Sequence, residues 1–139
     1  GCGDIVSVIC PTGPGRRRFH PFLYNCFYQQ THIARELVVV ETGCGEGPSE
    51  FFTQGPPASD PRVLYRYFDV HGESWSIGTK RNIACFLAAG SVIVHFDDDD
   101  IYTQEYLDQM LQVLRKGSCG KTTTVRIESE GNGGVASSH

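Results

Sequence analysis

Short runs of β-branched and other apolar residues recur along the chain and end abruptly at turn or acidic residues. The three most apolar runs cover residues 5–10, 37–41 and 91–96. A run that is apolar at nearly every position is typical of a strand buried on both faces of a sheet. Two weaker runs, at 63–68 and 121–127, predict further strands. Arg66 inside the first of these favours a position at the edge of the sheet.

The segments between these runs have the spacing of amphipathic helices. In 19–27 the apolar residues recur at i, i+3, i+4, i+7 and i+8. A second helix is predicted over 80–89, ended by Gly90, and a third over 103–117, with Thr103 as its N-cap. Residues 55–61 predict a loop. Because alternating strands and helices form right-handed crossovers, the sequence predicts an α/β fold: a Rossmann-like, mostly parallel sheet with helices on both faces.

Composition limits the classes of partner. The 139 residues carry a formal net charge of -4, which argues against binding to nucleic acid or an anionic membrane, because those partners select clustered positive charge. No run approaches the roughly 18 apolar residues of a membrane span, and the N-terminus lacks the features of a signal peptide. The six cysteines form no C-x-x-C pair, so we expect reduced thiols and no structural zinc. The compartment stays open, with the cytoplasm favoured for a soluble domain.

The two ends of the chain suggest that it is part of a longer protein. It does not begin with methionine, and its last residues, 131–139, are rich in Gly and Ser. We expect residues 1–120 to form one domain and residues 121–139 to contribute a strand and a flexible tail.

Four consecutive aspartates, Asp97, Asp98, Asp99 and Asp100, follow the run at 91–96. Carboxylates this close repel one another and are hard to keep ionised without a cation. Ligands of parallel sheets bind outside the carboxyl ends of the strands, so the aspartates should meet residues 11–16 and 41–43 at one edge. Such oxygen ligands fit Mg2+ or Mn2+ shared with a phosphate group. The alternatives are a solvated loop, which does not explain the position after a buried strand, and a calcium site, whose loop pattern is absent.

Motifs of other enzyme classes are incomplete. Gly120-Lys121-Thr122 resembles the end of a P-loop, but Arg115 stands where the first glycine of that motif belongs. Gly13-Pro14-Gly15 lacks the third glycine of a dinucleotide-binding motif, and no G-x-S-x-G elbow occurs. His95 is interpreted as a residue of the core or the sheet edge.

An ordered set of motifs is shared with one enzyme family. The set comprises Cys10-Pro11-Thr12 after the first strand, the run at 38–43, Lys80-Arg81-Asn82 at a helix start, and the acidic run within 96–102. Over about residues 5–115 the chain therefore resembles the family 2 glycosyltransferases, which have the GT-A fold. The resemblance implies an enzyme that transfers sugar from a UDP- or GDP-sugar donor with Mn2+ or Mg2+ as cofactor.

The resemblance assigns donor-binding residues. Pro11 and Thr12 correspond to a turn that contacts the nucleotide base, and Glu41 corresponds to an acid, usually aspartate, that ends the second strand. Arg81 and Asn82 correspond to a pair near the nucleotide. A solvated helix start is the alternative for that pair.

The acidic run corresponds to the D-x-D motif of the family and offers two overlapping registers. We favour the register in which Asp97 and Asp98 bind the donor while Asp97 and Asp99 bind the metal, with Asp99 as the leading ligand. The arginines at 16–18 either face the diphosphate or are solvated, and solvation is the expectation.

The resemblance assigns no catalytic residue, because in the family the base and the acceptor site belong to a later half of the domain. The chain is therefore expected to be an incomplete catalytic domain that is inactive alone. The alternative from another class is a non-catalytic nucleotide- or metal-binding module. A sugar nucleotidyltransferase is disfavoured because its Gly-rich, basic opening does not follow the first strand.

Overall fold

The computed structural model describes residues 5–70, 75–117, 123–127 and 136–138. The strands are β1 (Val6–Thr12), β2 (Arg35–Gly43), β3 (Val63–Asp69), β4 (Val92–His95), β5 (Thr123–Ile127) and β6 (Ala136–Ser138). The α-helices are α1 (His20–Tyr28), α2 (Glu50–Gln54), α3 (Ile77–Leu87) and α4 (Tyr106–Gly117). Single 3-10 turns cover Arg17–Phe19 and Pro56–Ser59.

These strands form one sheet in the order β3-β2-β1-β4-β5-β6. Neighbours from β3 to β5 pair in parallel, and β6 pairs antiparallel with β5. The predicted α/β class and mostly parallel sheet are confirmed. The edge position predicted from Arg66 is also confirmed, because β3 lies at one end of the order and Arg66 is exposed. Residues 136–138, in the segment predicted as a tail, form β6.

The central strands are apolar at successive positions because both faces of the sheet are covered. Helices α1, α2 and α4 cover one face, where Val8 and Cys10 of β1 are buried, and α3 covers the other, where Ile9 is buried. The sheet therefore carries two cores, and its carboxyl edge remains open between them.

Among the described residues, no helix combines the length and apolarity that crossing a lipid bilayer requires.

The boundaries of α3 differ from the prediction. The helix begins at Ile77, where the side chain of Ser76 accepts a 3.1 Å hydrogen bond from the amide of Thr79. It ends at Leu87 because Ala88 is extended, with ψ 138°. The prediction that Gly90 ends this helix is wrong: Gly90 has no left-handed φ. A Cβ at Gly90 would lie 2.4 Å from the carbonyl oxygen of Ile5, so close packing on β1 requires glycine there.

Helix α2, which the sequence pattern did not reveal, precedes the predicted loop at 55–61, and that loop contains the 3-10 turn Pro56–Ser59. Helix α2 has five residues, which is too short to show a helical period. Its Phe52 is buried and stacks on Tyr65 of β3, with ring centroids 4.9 Å apart. Helix α4 begins at Tyr106, whose amide donates to the carbonyl of Thr103 at 3.2 Å. Residues 121 and 122, the predicted start of the last parallel strand, lie outside the described residues.

We predict that Gly90→Ala lowers the free energy of unfolding by about 2 kcal/mol, because the added methyl group meets the backbone carbonyl of Ile5, which cannot move aside as a flexible side chain could. Gly78→Ala is the matched control. At Gly78 in the first turn of α3 the one described atom near an added Cβ is Ser76 Oγ, at 3.8 Å, and alanine favours the helix. Urea denaturation of both variants checks the prediction. Equal stability of the two variants would contradict it.

Candidate functional site

The carboxyl ends of β1, β2 and β4 lie side by side, and two of the clefts that open there contain the predicted acids. One, the acidic cleft, has a volume of about 290 Å3. It is lined by Pro11, Thr12, Gly13, Pro14, Arg16, Ile77, Lys80, Asp97, Asp98 and Asp99. The other, the Glu41 cleft, has a volume of about 310 Å3 and includes Arg17, Glu41 and Gly43 in its lining. Pro14 lines both clefts, so they adjoin at the turn after β1.

Asp98 is the acid of the tetrad that points into the protein. Its side chain is only 4% exposed. The hydroxyl of Thr12 donates to Asp98 Oδ2 at 2.8 Å, and Arg16 donates to both carboxylate oxygens, through Nε at 3.2 Å and Nη2 at 2.6 Å. Such a two-pronged guanidinium contact is among the strong charge-assisted pairs. It raises the pKa of Arg16, so this side chain remains charged.

His20 orients the Thr12 hydroxyl through a hydrogen bond. Because the Thr12 proton goes to Asp98, the Thr12 oxygen accepts from His20 Nε2, 3.0 Å away. Nδ1 of the same ring then accepts from the Ser49 hydroxyl at 3.4 Å. Burial lowers the pKa of His20, which favours the neutral ring that this arrangement requires. The chain of bonds therefore runs from Ser49 through His20 and Thr12 to Asp98.

Asp97 and Asp99 flank Asp98 and face the acidic cleft. Their side chains are 36% and 43% exposed. The carboxylate of Asp97 lies 3.5 Å from Arg81 Nη2, and that of Asp99 lies 3.0 Å from Arg16 Nη2. The turn is held in place by Tyr102, whose hydroxyl accepts from the amide of Asp97 at 2.8 Å.

Glu41 is the buried acid of the second cleft. Arg17 Nε donates to its Oε2 at 2.9 Å, and the hydroxyl of Tyr65 donates to its Oε1. The Tyr65 oxygen in turn accepts from the amide of Ser49 at 2.8 Å. Burial and the hydrogen bond to Glu41 raise the pKa of Tyr65, which keeps the phenol protonated. Ser49 thus connects the Glu41 cluster to the His20 chain.

Helix α3 supplies basic residues to the acidic cleft. Lys80 Nζ donates to the backbone carbonyl of Thr12 at 3.2 Å, and burial lowers the pKa of its ammonium. Arg81 pairs with Asp97 as described, and its buried Nε has no hydrogen-bond partner within the described residues. Asn82 is exposed and does not line either cleft. Of the predicted pair, only Arg81 therefore joins the described site.

The expectation that the arginines at 16–18 are solvated is wrong for two of them. Arg16 binds Asp98 and Arg17 binds Glu41, whereas Arg18 is exposed and donates only to the carbonyl of Gly15 among described residues. The 3-10 turn at Arg17–Phe19 explains the difference, because it directs consecutive side chains to different sides. A turn this short has no periodic signal in the sequence. His20 was missed for another reason, since it lies among the apolar residues of a helix face.

Solved structures share this fold. TarS from S. aureus, as residues 1–349, superposes with a TM-score of 0.66 at 22% identity over 81% of this chain and 32% of that one. The same fragment in complex with UDP-GlcNAc gives a TM-score of 0.61 at 22% identity, over 81% of this chain and 31% of that one. A longer TarS structure gives 0.62 at 21% identity over 87% of this chain. This chain spans about a third of the TarS fragment and 20% of the longer structure.

The likeness shows that this chain has the α/β fold of TarS. No protein-family model matches the chain, and a search of curated proteins finds no relative.

We predict that His20 makes the protein less stable as the pH falls below 6.5, the ordinary pKa of the group. Below that pH the unfolded chain binds a proton that the buried, neutral ring does not, and the free energy of unfolding falls by up to about 1.4 kcal/mol per pH unit. His20→Gln keeps an N–H donor near Thr12 but cannot titrate, so it should lack this part of the dependence.

Denaturation of both proteins between about pH 7 and pH 5 measures the difference, because other titrating groups are common to both. Wild type should lose its stability advantage over the variant as the pH falls. Parallel curves would contradict a neutral, buried His20.

Proposed function

We propose that this chain is the donor-binding part of a glycosyltransferase that uses a nucleoside-diphosphate sugar with a divalent cation. One observation carries the proposal: Thr12, Glu41 and the acidic tetrad meet at one sheet edge, around two adjoining clefts. Supporting it, the fold is that of TarS, whose solved structures include complexes with UDP-GlcNAc and with UDP. The motif order resembles family 2, with Asp97 and Asp99 as the outer acids of D-x-D.

The Glu41 cleft suits a nucleobase. A buried carboxylate accepts the ring N–H of a uracil or guanine base, and Arg17 beside it donates to a base carbonyl. Arg17 and Tyr65 hold the carboxylate in place before any ligand arrives. Because the two clefts adjoin at Pro14, a base in this cleft leaves the diphosphate in the acidic cleft.

The acidic cleft suits a diphosphate together with a cation. The acidic cleft is lined by three carboxylates, of Asp97, Asp98 and Asp99, and by two cations, of Arg16 and Lys80, while Arg81 pairs with Asp97 beside it. A diphosphate adds negative charge that these residues do not balance, and a divalent cation restores the balance.

The residues present fit Mg2+ or Mn2+. Asp97 and Asp99 are exposed to the cleft on either side of buried Asp98. Within the described ranges, no three His, Cys, Asp or Glu side chains are grouped as a complete metal site. This agrees with ions that proteins hold through one or two carboxylates plus substrate phosphates.

In the proposed reaction, side chains of the acidic cleft bind the cation and orient the diphosphate. The divalent cation would act as a Lewis acid that stabilises the charge developing on the leaving nucleoside diphosphate. Asp97 and Asp99 would hold that cation. Lys80 and Arg16, which line the same cleft, would orient the phosphate oxygens. The base that deprotonates the acceptor hydroxyl is assigned to no residue of this chain, so the proposal covers donor binding and not the whole transfer.

We predict that UDP binds at least about tenfold more tightly with Mn2+ than with a chelator, because the cation bridges phosphate and carboxylate. Isothermal titration calorimetry on the full chain under both conditions tests this. Absence of UDP binding in both conditions would contradict the proposed function, and equal affinity in both would contradict the cation bridge.

A pair of variants locates the cation. Asp99→Asn should weaken Mn2+-dependent UDP binding by about tenfold or more, because it removes a ligand charge at the cleft. Asp100→Asn is the matched control, since Asp100 does not line the acidic cleft. A larger loss with Asp100→Asn would shift the register of the motif by one residue.

A further inference from the structure

Arg16 binds two acids of the tetrad at once. Its Nε and Nη2 contact Asp98, and the same Nη2 lies 3.0 Å from Asp99 Oδ2. The Arg16 side chain is 39% exposed and lines the acidic cleft. One guanidinium therefore neutralises a buried carboxylate and an exposed one.

The two contacts differ in how easily they can be broken. Asp98 is 4% exposed, so loss of its guanidinium would leave a buried charge whose remaining hydrogen bond, among the described residues, is the one from Thr12, which is costly. Asp99 is 43% exposed, and water can replace its ion pair at little cost. The contact with Asp98 is thus fixed, and the contact with Asp99 is exchangeable.

A divalent cation bound to Asp99 conflicts with the exchangeable contact. The cation needs a carboxylate oxygen of Asp99, and Arg16 already holds Oδ2. A guanidinium and a divalent cation on neighbouring positions of one carboxylate repel each other. Arg16 cannot move far, however, because Asp98 anchors it through two hydrogen bonds.

Resting on the proposed function, we propose that Arg16 and the divalent cation are alternative counter-ions of Asp99. Without nucleotide, Arg16 occupies the acid and opposes binding of the cation alone. When the cation and the diphosphate arrive together, Arg16 gives up Asp99, keeps Asp98, and directs the released N–H to a phosphate oxygen in the same cleft. Arg16 therefore favours the cation and nucleotide as a pair over the bare cation.

This role gives Arg16 substitutions two effects of opposite sign. Removal of the guanidinium should strengthen binding of Mn2+ alone, because the competitor at Asp99 is gone. It should weaken binding of UDP at saturating Mn2+, because a donor to the diphosphate is gone. A merely structural role of Arg16 would weaken both.

The experiment compares wild type with Arg16→Gln. Electron paramagnetic resonance of free Mn2+ gives the affinity for the metal alone, and calorimetry gives the affinity for UDP at saturating Mn2+. We expect Mn2+ to bind about fivefold more tightly to the variant and UDP about fivefold more weakly, the scale of one partly exposed ion pair. Arg66→Gln is the matched control. Arg66 is exposed on edge strand β3 and should change neither affinity.

Arg16→Lys keeps the proposal testable if Arg16→Gln does not fold. Lysine retains a charge for buried Asp98 but lacks the forked geometry of guanidinium. The variant should therefore still bind Mn2+ more tightly and UDP more weakly than wild type, by smaller factors than Arg16→Gln. Unchanged or weaker Mn2+ affinity in the folded variants would overturn the inference and leave the proposed function standing, provided that wild type binds UDP. Absence of UDP binding by wild type would overturn both.

Discussion

A carboxylate buried at the end of a central strand needs hydrogen-bond donors, and Asp98 receives them from Thr12 and Arg16. The Thr12 oxygen accepts a hydrogen bond from His20, and His20 is in turn oriented by Ser49. Ser49 also donates to Tyr65, which holds Glu41. The ends of β1, β2 and β4 are therefore connected through one buried polar network.

The network divides the acids of the sheet edge into buried ones and ones that face the acidic cleft. Asp98 and Glu41 are buried and held by arginines, whereas Asp97 and Asp99 face the acidic cleft. Both inner acids accept hydrogen bonds from side chains of the protein in the absence of a ligand. The outer acids have ion pairs exposed enough to exchange for other partners.

The sequence predicted the parts of the structure that follow from regular patterns. The apolar runs correctly predicted these strands, because β1, β2 and β4 are buried on both faces, and Arg66 correctly predicted that β3 lies at the edge of the sheet. Gly90 was misinterpreted because a glycine after a helix pattern also occurs where backbones pack closely. Helix α2 was missed because five residues show no period.

For the candidate site, the sequence predicted where the acids lie but not which residues bind them. Strand ends and the acidic run brought Thr12, Glu41 and the aspartates to one edge, as parallel topology requires. The partners of these acids were not predictable. Arg16, Arg17 and His20 carry no spacing signal, and their contacts depend on a 3-10 turn and on a helix that begins at the buried histidine. Long-range hydrogen bonds of this kind become visible only when the backbone path is known.

Under the proposed function, the carboxyl edge of β1, β2 and β4 binds a nucleoside diphosphate. Backbone amide NMR of the full chain during titration with UDP and Mg2+ tests this directly, since each amide reports its own surroundings. We expect the largest shift changes on Thr12 and Gly13, Thr42 and Gly43, and residues 97–99. The proposal would be contradicted if UDP bound and these amides stayed unchanged while the shifts clustered elsewhere, for example along α4.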